Sequence, residues 1–227
     1  MAAGAAGRTT RSGQEISMGL WDERVVPRLT DRALSVGEVM KRRALVCDGL
    51  GGRVLEIGFG SGLNLEKLPD EVTSLDAVEP SDTGWALSGA RRRACRVPVE
   101  RVGLDGQRLA AGDAAYDAVL CTFSLCTIPD ADQALGEVLR VLRPGGSFHF
   151  LEHGGSPDDG VRRWQRRLEP LQRRVAGGCH LTRDVTGLVA SAGLHVEELQ
   201  EGYLPGPALA RPWGWTVLGR ASAPRAA

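Results

Sequence analysis

Along the chain, the apolar positions alternate between a rhythm that suits strands and one that suits helices. Between Trp21 and Leu45, Val25, Val26, Leu29, Ala33, Leu34, Val36, Val39 and Met40 recur at mostly helical intervals, and Pro27 can open a helix, so one or two helices are predicted there. Residues 53–57 are a short apolar run ending in glycine and read as a strand, followed at 63–68 by a helix that Pro69 stops. A second strand is predicted over 73–78, a helix over 82–93 and a third, short strand over 99–102. Residues 116–121 give a fourth strand, 131–142 an amphipathic helix and 147–151 a fifth strand, with Pro144-Gly145-Gly146 as a tight turn between the last two.

Strands separated by helices at this spacing form βαβ units, so the predicted fold is α/β, with a parallel sheet covered by helices on both faces. A ligand of such a sheet sits over the carboxyl ends of its strands. After Glu152 the pattern changes. Residues 161–175 carry Arg162, Arg163, Arg166, Arg167, Arg173 and Arg174 around Trp164, Leu168 and Leu171, which suits a helix with one packed face and a solvated basic one. Thr182 is placed to cap a helix running through Ala192, which Gly193 ends. The segments "LHVEELQEGYL" and "WGWTVLGRA" then suit two final strands paired like a hairpin.

Composition narrows the classes of function. Lys plus Arg equals Asp plus Glu at 28 each in 227 residues, which gives no reason to expect a nucleic-acid partner. Five cysteines, an odd number without C-x-x-C spacing, suggest neither a disulfide framework nor a metal site, and fit a reducing cytoplasmic interior. No run of about 18 apolar residues is present, which argues against an integral membrane segment. The opening "MAAGAAGRTTRSGQE" is rich in small residues, so 1–17 are expected to form a disordered tail. Residues 18–227 are then expected to be one domain, with N-terminal helices at 18–50, a cofactor-binding core at 52–152 and substrate-side helices and the last two strands at 153–227. Oligomeric state is left open.

The chemistry concentrates at "VLEIGFGSG", residues 54–62. A dinucleotide turn wants glycines at its first, third and sixth positions; Gly58 and Gly60 fill two, but the sixth is Leu63. A phosphate loop would end in Gly-Lys-Ser or Gly-Lys-Thr, whereas Gly62 precedes Leu63 and Asn64. Glu56, inside the strand, would repel a diphosphate and welcome a cation. Glu79, about 20 residues past the glycines, can accept from both hydroxyls of a ribose. A ribose and a positive charge without phosphates describe S-adenosylmethionine.

"VLEIGFGSG", "AVEPS", "YDAVLC" and "EVLRVLRPGG" resemble, in order, the motifs of class I S-adenosylmethionine-dependent methyltransferases over residues 52–152. The resemblance implies a Rossmann-like, seven-stranded, mostly parallel sheet whose last strand inserts antiparallel. It also implies roles at matching positions. Gly58, Gly60 and Gly62 would let the backbone approach the methionine and ribose parts, Glu56 would hold the amino end, and Glu79, followed by Pro80, would bind the ribose hydroxyls. Leu104 and Asp105 in "VGLDGQRL" would flank adenine, although the usual Gly-Asp-Ala order is not kept, so an ordinary turn aspartate is the alternative. Cys121 and Thr122 would line the floor beside the methyl group, and Cys121 and Cys126 also read as small buried hydrophobes.

The second half, through "CTFSLCTIPD", "LEHG", "WQRRLEP" and "GGCHLTRD", is similar to eukaryotic alkyl thiol methyltransferases and more loosely to bacterial enzymes that methylate quinone precursors and phosphatidylethanolamine. The eukaryotic thiol enzymes start with a hydrophobic anchor that this sequence does not show, which puts a membrane-embedded substrate in doubt. The resemblance therefore implies a small-molecule methyl acceptor, an apolar thiol first. His153 and His180 are candidate proton acceptors, each also readable as a histidine bonded to backbone or capping an element, and Trp164 suits either an apolar acceptor or the core. The alternatives are a nucleoside-binding module without catalysis, whose sign would be a lost Glu79 or broken glycine turn, and a nicotinamide-dependent reductase, which Leu63 speaks against. The Asn-Pro-Pro-Tyr type of signature carried by amino-methylating nucleic-acid enzymes is replaced by "CTFS".

Overall fold

The computed structural model describes residues 19–225, so the expectation for the 1–17 tail lies outside the described residues. Three short helices come first: α1 (Leu20–Arg24), α2 (Val26–Leu34) with Pro27 in its first turn, and α3 (Gly37–Cys47). The sheet begins with β1 (Gly52–Ile57) and β2 (Val72–Val78), then α4 (Asp82–Leu87), α5 (Gly89–Ala94), β3 (Val99–Gly103) and β4 (Tyr116–Thr122). It continues through α6 (Ala131–Val141), β5 (Leu142–His153), α7 (Asp159–Val175), α8 (Val185–Ser191), β6 (His195–Tyr203), α9 (Arg211–Gly214) and β7 (Trp215–Ser222).

The seven strands lie in the order β3-β2-β1-β4-β5-β7-β6. β1 to β5 run parallel, and β7 inserts antiparallel between β5 and β6. Alternate side chains of the central strands enter opposite cores, as the pleat requires. Leu55, Ile57, Val119, Cys121, Phe148 and Phe150 pack with Val138 and Val141 of α6 and Val185 and Val189 of α8. Val54, Ala118, Leu120 and Leu151 point the other way, against Val39, Val46 and Cys47 of α3. Both faces are thus covered, which is why these strands carry apolar side chains on both faces rather than on one. Among the described residues no helix is long and apolar enough to cross a membrane.

The structure departs from the sequence expectations locally. The helix expected at 63–68 is one 3-10 turn, Leu65–Lys67, because Gly62 enters with φ +75° and Asn64 turns its side chain inward. The helix expected at 82–93 breaks at Ser88, whose hydroxyl donates to Trp85 O at 2.7 Å, between segments that carry Gly84 and Gly89. Asp184, not Thr182, caps α8 by accepting from Gly187 N at 2.9 Å, while the Thr182 hydroxyl donates to Glu169. The Pro-Gly-Gly turn is a bulge within β5: Leu142 opposes Tyr116 and Ser147 opposes Ala118, so the four residues 143–146 stand opposite Asp117 alone.

Candidate functional site

β1 and β2 end side by side at the carboxyl edge of the sheet, and the glycine turn leaves β1 there. Gly58 holds φ +73°, and a Cβ on it would lie 1.8 Å from Ser124 Oγ, so the turn and the loop after β4 close to a separation only glycine permits. Gly60 N donates to Glu79 Oε2 at 2.6 Å, and Ser81 N donates to Glu79 Oε1 at 2.7 Å. The carboxylate therefore uses two of its roughly four acceptor sites and keeps the rest for a ligand. Burial raises its pKa, and those two N–H donors oppose the rise.

A cavity of about 610 Å³ opens over these strand ends, within the usual range for small-molecule sites. Gly58, Gly60, Glu79, Pro80, Leu104, Asp105 and Thr122 line it. α1 and α2 close one side with Asp22, Val26, Pro27 and Asp31, and Phe123, Thr127, Ile128 and Gly178 close the other. Among the described residues, Asp22, Asp31, Glu79 and Asp105 outnumber the single cation, Arg43, on the wall, which disfavours a polyphosphate and favours a ligand of positive or mixed charge.

Below the floor lies a buried polar network. Arg43 Nη1 donates to Asn64 Oδ1 and to Thr122 Oγ1, each at 2.8 Å. Asn64 Nδ2 donates to Glu56 Oε1 at 2.7 Å and to Thr122 Oγ1 at 3.0 Å. Glu56 Oε2 is buried without a hydrogen-bond partner among the described residues. Burial pushes the Glu56 carboxyl up to about 8, against the pull of Asn64 and Arg43, and burial also lowers Arg43. An orphaned buried carboxylate oxygen costs free energy that an ammonium group can recover.

Five sequence candidates, Glu56, Gly62, Cys121, His153 and His180, fall outside the wall of the cavity, and Gly62 and Cys121 have other work. A Cβ on Gly62 would meet Phe59 Cζ at 3.0 Å and Ser88 Cβ at 3.2 Å, so Gly62 packs the turn against α4 and α5. Cys121 is 1% exposed with its Sγ 3.4 Å from Glu152 Oε1. His153 packs at a tilt against Phe123 with ring centroids 5.0 Å apart, and His180 Nδ1 lies 3.2 Å from Glu169 Oε1. Trp164, 55% exposed on α7, is not a core tryptophan. Asp105 lines the cavity and also accepts from Gln107 N at 2.9 Å, so it is a turn aspartate facing the site.

Sequence reasoning missed Arg43, Asn64 and Glu152. The fully buried Glu152 accepts from the N–H groups of Ser124, Leu125 and Cys126 at 3.0, 3.0 and 3.1 Å and so pins the loop after β4. An acid closing the apolar run "FHFLE" was its only local signal. Phe123, in that loop, holds φ 53°, a strained conformation for a non-glycine residue. Cys126 and Cys179 come together with sulfurs 3.8 Å apart. Cys179, beside the Cys126 thiol and the His153 ring, is the more acidic of the two, and Cys126 is held well above the usual thiol range.

The architecture agrees with what the chain resembles. The model of a methyltransferase domain matches residues 55–170. The human thiol S-methyltransferase TMT1B is 34% identical over 180 residues, 76% of this chain and 72% of that protein. A demethylmenaquinone methyltransferase of Renibacterium salmoninarum is 33% identical over 128 residues, 55% of this chain and 52% of its own. Among solved structures, the N-methyltransferase NodS from Bradyrhizobium japonicum, in complex with S-adenosyl-L-homocysteine, superposes with TM-score 0.63 at 18% identity, covering 86% of this chain and 91% of its own.

Proposed function

The chain belongs to the S-adenosylmethionine-dependent methyltransferases, and we propose that it methylates a small apolar acceptor, a thiol first. The cofactor supplies, when bound, a methyl group on a positively charged sulfur. The residues suit that group: on the cavity wall Glu79 keeps free acceptor sites for ribose hydroxyls, and beneath the floor the orphaned Glu56 Oε2 is of the right sign for the amino end. Arg43, on the cavity wall, is the cation for the carboxylate of the methionine part. Leu104, Pro80 and Asp105 flank the adenine end, with Asp105 as its polar contact.

The remaining wall governs the acceptor. Val26, Pro27, Phe123, Ile128 and Pro129 are apolar and exclude water from the transfer, which strengthens the electrostatics inside and holds the partners at attack distance. Positioning of this kind supplies up to about 7–11 kcal/mol of a barrier. A thiol of ordinary pKa, about 8.5, is already a few per cent thiolate near neutrality, so its proton needs little help in leaving. His153 packs behind Phe123 and does not line the cavity, so it is not placed to take the acceptor's proton by contact.

The observation that carries the acceptor class is the similarity to a thiol S-methyltransferase over most of that protein's length. The second reading, a quinone-precursor acceptor, has the shorter match in its favour. Five free cysteines support residence in a reducing compartment, the cytoplasm. The test is calorimetry with S-adenosylmethionine and S-adenosylhomocysteine, followed on the same sample by methyl-transfer assays across small thiols, phenols and amines. Binding with turnover on thiols supports the reading; binding with turnover only on phenols or amines replaces the acceptor class.

A further inference from the structure

The densest cluster of metal-ligating side chains behind the cavity joins three segments that are distant in sequence: the loop after β4, the end of β5 and the loop after α7. Cys126 Sγ and Cys179 Sγ are 3.8 Å apart, and His153 Nδ1 lies 3.8 Å from Cys179 Sγ. The three ligand atoms all fall within 4.8 Å of one another. A tetrahedral zinc ion holds sulfur at about 2.3 Å and imidazole nitrogen at about 2.0–2.1 Å, which sets the S···S edge near 3.8 Å and each S···N edge near 3.6 Å. One measured edge has the tetrahedral length and a second exceeds it by about 0.2 Å. The third needs a ring shift of at most about 1.2 Å.

The frame around the cluster is built. Glu152 pins the Cys126 loop through three N–H groups, and His180 N donates to Cys126 O at 2.9 Å, tying the two cysteine loops together. Phe123 packs at a tilt against the His153 ring, with centroids 5.0 Å apart, and holds it in place. Two thiolates and an imidazole select zinc over magnesium or calcium. Three protein ligands among the described residues leave a fourth position open, the arrangement of a zinc ion that binds a substrate atom. Phe123, Thr127 and Gly178, which touch or adjoin the three ligands, line the cavity, so the cluster backs directly onto the acceptor's side.

We propose that Cys126, His153 and Cys179 bind one zinc ion whose open position takes the acceptor's sulfur as thiolate; the zinc site stands on the geometry, and its fourth ligand rests on the thiol reading above. The two cysteines release their protons on binding zinc, and the acceptor releases its proton to solvent on coordination. The acceptor's sulfur lone pair then forms the new S–C bond as the C–S bond of the sulfonium breaks, with that bonding pair returning to the departing sulfur. Zinc keeps its oxidation state, and the thioether product, a neutral and weaker ligand, leaves the open position.

The test uses the whole chain purified with a non-thiol reductant. Metal analysis is expected to find close to one zinc per chain, and replacement by cobalt(II) to give the sulfur-to-cobalt charge-transfer band and the visible bands of a tetrahedral ion. Cys126→Ser, Cys179→Ser and His153→Ala should each weaken metal binding by roughly tenfold or more, while Cys95→Ser, remote from the cluster, leaves it unchanged. Calorimetry with S-adenosylhomocysteine on every variant shows that the fold is intact. A small alkyl thiol should then shift the cobalt spectrum, and the three variants should lose thiol methylation with nucleoside affinity retained. Absence of bound zinc and cobalt from the folded wild-type chain, or a Cys126–Cys179 disulfide in their place, overturns the site. A cobalt spectrum unmoved by a thiol that the enzyme does methylate overturns the fourth ligand. Cobalt binding with no methylation of any thiol sinks the thiol reading and leaves the metal site standing.

Discussion

Replacing Glu79 with alanine tests the cofactor site most directly. The carboxylate is 6% exposed and accepts two backbone N–H bonds, at 2.6 Å from Gly60 and 2.7 Å from Ser81. It faces the cavity with acceptor sites to spare. Alanine removes a charged acceptor for the ribose hydroxyls, worth about 1.5–3 kcal/mol for a hydrogen bond to an ionised group. That free energy corresponds to roughly a 10- to 150-fold rise in Kd. The two N–H groups lose their acceptor, that of Ser81 in a buried position, so the melting temperature should also fall and binding is measured well below it. Calorimetry with three ligands separates the roles: S-adenosylmethionine, S-adenosylhomocysteine and 5′-methylthioadenosine all carry the ribose, and the last lacks the amino acid end. Glu79→Ala should weaken all three by a similar factor. Unchanged affinity for all three, or a loss confined to the two ligands with the amino acid end, would refute the ribose role.

Further outcomes follow from the same geometry. Glu56, held near 8 by burial, is mostly protonated in the free protein at pH 7, and an ammonium ligand favours its ionised form. Binding then releases a proton, so S-adenosylmethionine affinity should rise with pH from 6 and flatten above about 8, and Glu56→Gln should abolish the slope in a calorimetric pH series. The free protein shows the opposite trend: because the folded pKa lies above the unfolded 4.5, Glu56 contributes stability below pH 4.5 that is lost as pH rises through about 8, and the upward shifts of Glu79 and Glu152 act in the same direction. Glu152→Gln keeps an oxygen for the Ser124 and Leu125 N–H groups but sets its N–H₂ against the Cys126 N–H, and should cost about 1–3 kcal/mol in denaturant unfolding, with no change in its midpoint counting against the anchoring role. Gly58→Ala should lower the melting temperature sharply, and adding Ser124→Gly, which removes the atom 1.8 Å away, should restore part of it; no recovery would locate the whole cost in the positive φ.

The sequence alone determined what is local. Runs such as residues 118–121 are apolar at every position because both faces of the sheet are covered, and that continuity is legible without knowing the neighbours. Gly58 and Gly60 mark the turn because only glycine tolerates its backbone, and Glu79 marks the second strand's end by its distance from them. The short helices were misread where tertiary contacts outweigh propensity: Asn64 leaves the expected helix to bond Glu56 and Thr122, which lie 8 and 58 residues away in sequence. Arg43 was hidden among the charged residues of α3, since nothing in its neighbourhood says that this arginine, 4% exposed, turns inward to Asn64 and Thr122. The Cys126–His153–Cys179 cluster has no spacing signature because its members are 27 and 26 residues apart, and only the adjacency of β4, β5 and the loop after α7 brings them within reach of one ion. Local backbone chemistry is written in consecutive residues, whereas a constellation drawn from several strand ends exists only once long-range pairing has closed the sheet.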